Sequence, residues 1–212
     1  MTTWVGRLDV AESEGTMNAA VFYATRQGQA RRVAERVAAD LRARQTGVDV
    51  FDVRTLPPRI DWTPYDFACV IASVHAGRHE REMVRFVTTY RNELQRLGAV
   101  FLSLTLSEAG AEDPAKPREL REQSRADVQR MIDVFVAETG WRPERILPVA
   151  GALAYSKYNM FIRFVMKQTA RKAGAPTDTS RDYEFTDWAA IDRFVDESVA
   201  HPPAPGVFQS SP

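Results

Sequence analysis

The chain has 212 residues with 28 Lys and Arg against 28 Asp and Glu, a neutral balance that argues against broad nucleic-acid binding. Its length suits one domain with a sizeable core, and no segment has enough uninterrupted apolar residues for a membrane-spanning helix. The single cysteine, Cys69, excludes a disulfide framework and a cysteine-based metal site, is compatible with a reducing compartment, and sits in an apolar run that reads as core.

Residues 1–16 are polar and acidic and resemble no signal peptide; they read as an N-terminal extension or an upstream start before Met17, of a composition compatible with disorder. Ala19, Ala20, Val21, Phe22 and Tyr23 then predict a buried strand. A polar turn follows, Thr25, Arg26, Gln27, Gly28 and Gln29. Beyond it Ala30, Val33, Ala34, Val37, Ala38 and Leu41 recur at the i, i+3, i+4 spacing of a helix face. A strand, a tight turn with one glycine and a helix direct free backbone N–H groups and the positive end of the helix dipole into one turn. That is an anion site, most often for phosphate. From the first strand onward, Arg26, Arg31 and Arg32 all precede the first acid, Glu35. Neither the G-x-G-x-x-G nor the G-x-x-x-x-G-K pattern is present, which weakens dinucleotide and Walker-type readings. The turn by itself also fits an ordinary strand–turn–helix of any α/β protein.

Residues 48–53 predict a second strand. Pro57, Pro58 and Pro64 leave little room for a helix before the buried strand at 67–73. A polar loop, 74–79, precedes a helix with Met83, Val87, Tyr90, Leu94 and Leu97 on one face. The fourth strand, 100–105, is followed by a long polar loop, 107–117. The next helix is expected to bury Leu120, Val128, Met131, Ile132, Phe135 and Val136 and to stop at Gly140. The fifth strand spans 145–153, and Pro148 within it points to a sheet edge.

This alternation implies an α/β fold, a doubly wound five-stranded parallel sheet in the flavodoxin-like order 2-1-3-4-5, with the fifth strand interrupted by a long helical insert. In that order a ligand binds outside the carboxyl ends of the strands, at the switch between strands one and three. The lining expected from the later loops is Ser73, Val74, His75, Ala76 and Gly77, then Thr105, Leu106 and Ser107. His75 and His79 read either as proton carriers or as ordinary surface-loop histidines.

The insert occupies residues 154–182, before a last helix that Thr186 and Asp187 begin and that buries Trp188, Ile191, Phe194, Val195 and Val199. The domain proper is 17–200, and the Pro- and Ser-rich 201–212 reads as a disordered tail. No acid occurs between Glu144 and Asp178, whereas Arg163, Lys167 and Arg171 share one face of a predicted helix at 156–173, interleaved with Tyr158, Phe161 and Phe164. Three readings fit: a solvated basic face, a membrane-surface helix, or a pocket for a carboxylate-bearing aromatic substrate.

The phosphate turn, Tyr65 with Asp66, the run Trp141, Arg142, Pro143, the run Gly151 to Tyr155 with Tyr158, the motif Thr177-Asp178-Thr179 and the motif Thr186-Asp187-Trp188 occur in that order. Over residues 17–200 the chain thereby resembles the flavodoxin-type, quinone-dependent protoporphyrinogen dehydrogenases of bacterial haem synthesis. The resemblance implies bound FMN, no metal, and oxidation of protoporphyrinogen IX to protoporphyrin IX. It further implies electron transfer to a membrane quinone and a cytoplasmic protein held peripherally against an anionic membrane surface. Tyr155, Tyr158, Arg163, Lys167 and Arg171 would then contact substrate or membrane. The chain departs from flavodoxin-like phosphate turns in carrying Ala24 and Ala30 where hydroxyls are common, and in lacking Trp or Tyr in the loops beside the ring. A flavodoxin-like FMN electron carrier and a flavodoxin-fold binding module without flavin chemistry are the alternatives.

Overall fold

The computed structural model describes residues 17–153 and 178–201. In chain order the elements are β1 (Asn18–Ala24), α1 (Gln29–Ala43), β2 (Gly47–Asp52), β3 (Phe67–His75), β4 (Arg78–His79) and α2 (Arg81–Arg96). There follow β5 (Val100–Thr105), α3 (Leu106–Glu112), α4 (Arg118–Thr139), β6 (Ile146–Ala150), β7 (Ala152–Leu153), β8 (Tyr183–Glu184) and α5 (Trp188–Ala200).

β1 explains the architecture. Its side chains alternate between two cores: Ala20, Phe22 and Ala24 enter one, Ala19 and Val21 the other, and all are fully buried. A strand apolar on both faces belongs at the centre of a sheet covered on both sides. The observed order is β2-β1-β3-β5-β6, all parallel, which is the expected 2-1-3-4-5 once the short hairpin strand β4 is set aside. Cys69, opposite Val21 in the register, is fully buried, and burial holds its thiol well above the ordinary range. β6 pairs only with β5 in this sheet, so Pro148 does stand on an edge strand.

On one face Phe22 lies 4.6 Å from Phe86 of α2 and 5.3 Å from Trp62, centroid to centroid. Trp62 comes from the helix-free connection at 53–66. Phe101 stacks on Phe135 of α4 at 4.6 Å in the same layer. Each such ring contributes on the order of 1.5–3 kcal/mol through burial. On the other face α1 supplies Ala30, Val33, Ala34, Val37 and Leu41, and α5 supplies Ile191 and Val195. Arg36 bonds Asp192 through two nitrogens at 3.0 and 2.6 Å, and Arg44 pairs with Asp196, so α1 and α5 are also joined along their outer edges.

Several expectations are corrected. The loop expected at 74–79 is a β-hairpin: β4 runs antiparallel to β3 with Val74 opposite His79, and Ala76 and Gly77 turn it at φ 50 and 79. Both central residues at positive φ make the tight turn whose twist matches the strands. The loop expected at 107–117 is helical over its first part, because Thr105 caps α3 by accepting from the Ser107 N–H at 3.2 Å. Leu120 is 51% exposed, about two turns before α4 buries its first residue, Val128. Trp188, Phe194 and Val199 are partly buried at the margin of α5. β6 ends at Ala150, and the chain leaves and returns through a separate antiparallel ladder, β7 with β8, so the interruption expected inside the fifth strand lies beyond its end. The predicted helix at 156–173, the extension 1–16 and the tail after His201 lie outside the described residues, as do Tyr155, Tyr158, Arg163, Lys167 and Arg171. Among the described residues no helix is long and apolar enough to cross a membrane.

His79 is a core residue, 5% exposed, with its ring 4.7 Å from Phe135 and Nε2 at 2.9 Å from Ser103 Oγ. It is neither a surface-loop histidine nor a proton carrier at neutral pH, because burial pulls its pKa down to about 4. The unfolded chain binds this proton near pH 6.5 and the folded protein only near 4. Stability is therefore fullest above pH 6.5, falls as pH drops through that window and levels off below about 4, a loss on the order of 3 kcal/mol. Urea unfolding of wild type and His79→Gln at pH 7 and pH 4.5 checks this: the difference in stability between the two pH values shrinks in the variant.

Candidate functional site

In a parallel sheet the carboxyl ends of all strands reach the same edge, and the crossovers after β1 and β3 leave in opposite directions, opening a crevice there. In this protein the crevice is a shallow cleft of about 50 Å³. Thr25, Gln27 and Gln29 line it from the turn after β1, and Ser73, Val74 and His75 from the end of β3. Leu104, Thr105 and Leu106 line it from the junction of β5 and α3, and Gly151 and Ala152 from the segment after β6. Three segments distant in sequence, each expected at the site, meet there. The fourth was missed, although it follows the same rule: Gly151 stands directly beyond the carboxyl end of a strand.

The first turn is shaped by Gly28, which precedes α1 at φ 92 and ψ −8. A Cβ at Gly28 would meet nothing within 4 Å, so the demand for glycine is conformational and not one of space. The Gly28 N–H donates to Thr25 Oγ1 at 2.8 Å and is therefore already used. The N–H groups of Gln29, Ala30 and Arg31 open α1 and have no acceptor inside the helix. No acid occurs in this first turn. Ala30 itself is fully buried, so only its backbone can serve a ligand.

The side chains of the turn divide their work. Gln29 Nε2 donates to Glu184 Oε1 at 2.9 Å and to Thr186 Oγ1 at 2.8 Å, and Thr186 donates to the Ala150 carbonyl at 2.8 Å. Gln29 thus ties the turn to β8 and the end of β6. Arg26, expected at the anion, points away from the cleft; its guanidinium stands 4.0 Å from Glu80 and 3.8 Å from Glu82. Ala76 and Gly77 form the exposed hairpin tip outside the cleft lining, and Ser107 contributes its N–H to the cap of α3.

Glu80 has no local sequence signal. It precedes α2 and is only 3% exposed, with Oε1 3.1 Å from His75 Nε2. The His75 ring thus stands between the cleft and a buried carboxylate. Glu108, in the first turn of α3, has its carboxyl pushed up to about 7, first by burial and then by Glu112 one turn on. Among the described residues no group of His, Cys, Asp or Glu is arranged to hold a metal ion.

The chemistry of this donor set fits a phosphate monoester. Unused N–H groups, the Thr25 hydroxyl hydrogen and the end of the helix dipole can take the anion. The β3–β4 hairpin and the start of α3 flank the adjoining cleft. Among the described residues no Trp or Tyr lines it.

The chain is 28% identical over 185 residues to the protoporphyrinogen IX dehydrogenase (quinone) of Escherichia coli strain K12, covering 87% of this chain and 96% of that protein. It is 26% identical over 184 residues to the protein of the same name from Leishmania major, covering 86% of this chain and 74% of that one. A short-chain flavodoxin associated with a bacterial microcompartment superposes with a TM-score of 0.50 at 14% identity, over 87% of this chain and 98% of its own, a likeness of fold alone. Residues 20–180 match the Flavodoxin domain family, and with the strand order and switch-point cleft described above, the chain belongs to that family.

Proposed function

We propose that the protein is an FMN-dependent oxidoreductase that converts protoporphyrinogen IX to protoporphyrin IX and passes the electrons to a membrane quinone. The observation that carries this reading is the meeting of the β1, β3, β5 and β6 ends around one cleft, beside a phosphate-type turn, in a chain whose relatives of that name align over most of its length. When bound, FMN supplies the two-electron acceptor; the protein supplies position and electrostatics. The N–H groups of Gln29, Ala30 and Arg31 and the hydroxyl of Thr25 would hold the phosphate. Residues 73–77 and 105–107 would flank the ring. His75, with the buried Glu80 carboxylate 3.1 Å from its Nε2, would stand beside the ring at the rim of the cleft. The basic segment with Tyr155, Tyr158, Arg163, Lys167 and Arg171 would deliver substrate or dock on an anionic membrane from the cytoplasmic side. Residues 17–200 would be the functional unit.

Titration by flavin fluorescence tests the cofactor. FMN binds more tightly than FAD, because the turn offers one phosphate socket and no second one; tighter FAD binding overturns the assignment. Gly28→Val forces a β-branched residue to positive φ at a cost of about 1–2 kcal/mol, so FMN affinity falls roughly tenfold, while Gly28→Asn, which tolerates that conformation, loses less.

Porphyrin fluorescence tests the reaction. Anaerobic protein with FMN, protoporphyrinogen IX and a quinone produces protoporphyrin IX; because the conversion removes six electrons and each flavin takes two, omission of the quinone limits the yield to about one porphyrin for every three flavins present. No porphyrin in the complete mixture rules the function out. Replacing Arg163, Lys167 and Arg171 together with Gln leaves FMN affinity unchanged and lowers turnover or vesicle binding, the vesicle effect shrinking in high salt. Loss on vesicles alone marks membrane docking, and loss in detergent as well marks substrate contact.

A further inference from the structure

His75 lines a second and larger cavity on its other side. This cavity, about 690 Å³, opens between Arg26 of the first turn, the β3–β4 hairpin and the N-terminal half of α2. Its size falls within the range of about 300–1,000 Å³ common for small-molecule sites. The lining is cationic, with Arg26, Arg78, Arg81 and Arg85 against Glu80 and Glu138. Both acids are engaged: Glu138 pairs with Arg78, and the buried Glu80 faces His75 and Arg26.

Arg81 and Arg85 are different. They are one turn apart on α2, so they share a face, and neither has a carboxylate partner among the described residues. Arg81 is also the first residue of α2, where the positive end of the helix dipole disfavours a cation. A local electrostatic preference is broken twice over, by an unpaired arginine at the wrong helix end and by a second one beside it. Such breaches concentrate where a ligand supplies the missing charge. A carboxylate suits two guanidinium groups, each of which offers a planar fork of donors. An uncharged quinone would gain nothing from them.

We infer that this cavity binds a carboxylate-bearing edge of the tetrapyrrole through Arg81 and Arg85, placing the rest of the molecule past His75 and against the open side of the cleft. The inference rests on the function proposed above and adds to it where the substrate sits and which side chains select it. Ala76 and Val84 provide uncharged wall in the same cavity.

The test is equilibrium binding of protoporphyrin IX and of its dimethyl ester to the FMN-loaded protein, followed by porphyrin fluorescence. Wild type should prefer the diacid by at least tenfold. Arg81→Gln combined with Arg85→Gln should weaken diacid binding about tenfold, leave ester binding unaltered and raise KM more than it lowers kcat. Both residues are exposed, so FMN affinity and Tm report that the fold is intact. Arg118→Gln, an exposed arginine on α4 outside both cavities, serves as the control and should behave as wild type. Unchanged diacid binding in the double variant overturns the inference, and so does an equal loss for diacid and ester. If wild type turns over porphyrinogen while the double variant binds the diacid normally, the subsite alone falls. If wild type produces no porphyrin, the function falls and takes the subsite with it.

Discussion

Gly28 holds a backbone conformation that other residues adopt at a cost, and much of the molecule hangs on it. At φ 92 and ψ −8 it ends the turn after β1 and starts α1 without a longer connection. That reversal sets the free N–H groups of α1 at the carboxyl edge of the sheet while laying Ala30, Val33, Ala34 and Val37 against its face. A longer or differently angled turn would separate those two outcomes. Because Gln29 is the next residue, the same turn also fixes the far end of the chain: its amide grips Glu184 and Thr186, and Arg32 reaches Glu184 at 2.6 Å.

The residues of this turn then face two different spaces. Thr25, Gln27 and Gln29 line the shallow cleft, and Arg26 lines the larger cationic cavity. His75 borders both, held by the buried Glu80. A flavoprotein needs little more from its chain than this arrangement, since the cofactor carries the redox chemistry and the protein decides what stands next to it. Among the described residues the cleft has no Trp or Tyr in its lining, and the neighbouring cavity is rich in positive charge. The positive charge of that cavity suits the anionic reactant proposed above better than a small neutral one.

The hairpin illustrates how one local choice shapes that division. Ala76 sits at φ 50, an uncommon conformation for a residue with a Cβ, and the strain it stores is offset by pairing of β4 with β3. The pairing turns His79 inward against Phe101 and Phe135, leaves His75 at the rim, and carries Glu80 into its buried place before α2. The placements of His75, His79 and Glu80 thus all follow from a turn of two residues.

The sheet order and the place of the cleft could be read in the chain because β1, β3 and β5 are buried on both faces and so appear as unbroken apolar runs, and α1 shows its period plainly. The switch point follows from topology without any knowledge of side chains. Short or polar elements left no such trace. A two-residue turn of Ala and Gly lacks the Asn-Gly signature of its class, and α3 has too few residues to display a period. The side-chain roles were the least legible part. Nothing near His79 in the sequence distinguishes a core histidine from a loop histidine, and nothing near Glu80 marks a buried carboxylate, because burial is decided by α4 and by the hairpin. Arg26 faces away from the anion site, and Arg81 and Arg85 have no carboxylate partner among the described residues, for the same reason: pairing depends on which elements pack side by side. Periodicity and turn chemistry are local and survive in the sequence, whereas solvation and charge pairing are settled only when residues far apart in the chain come into contact.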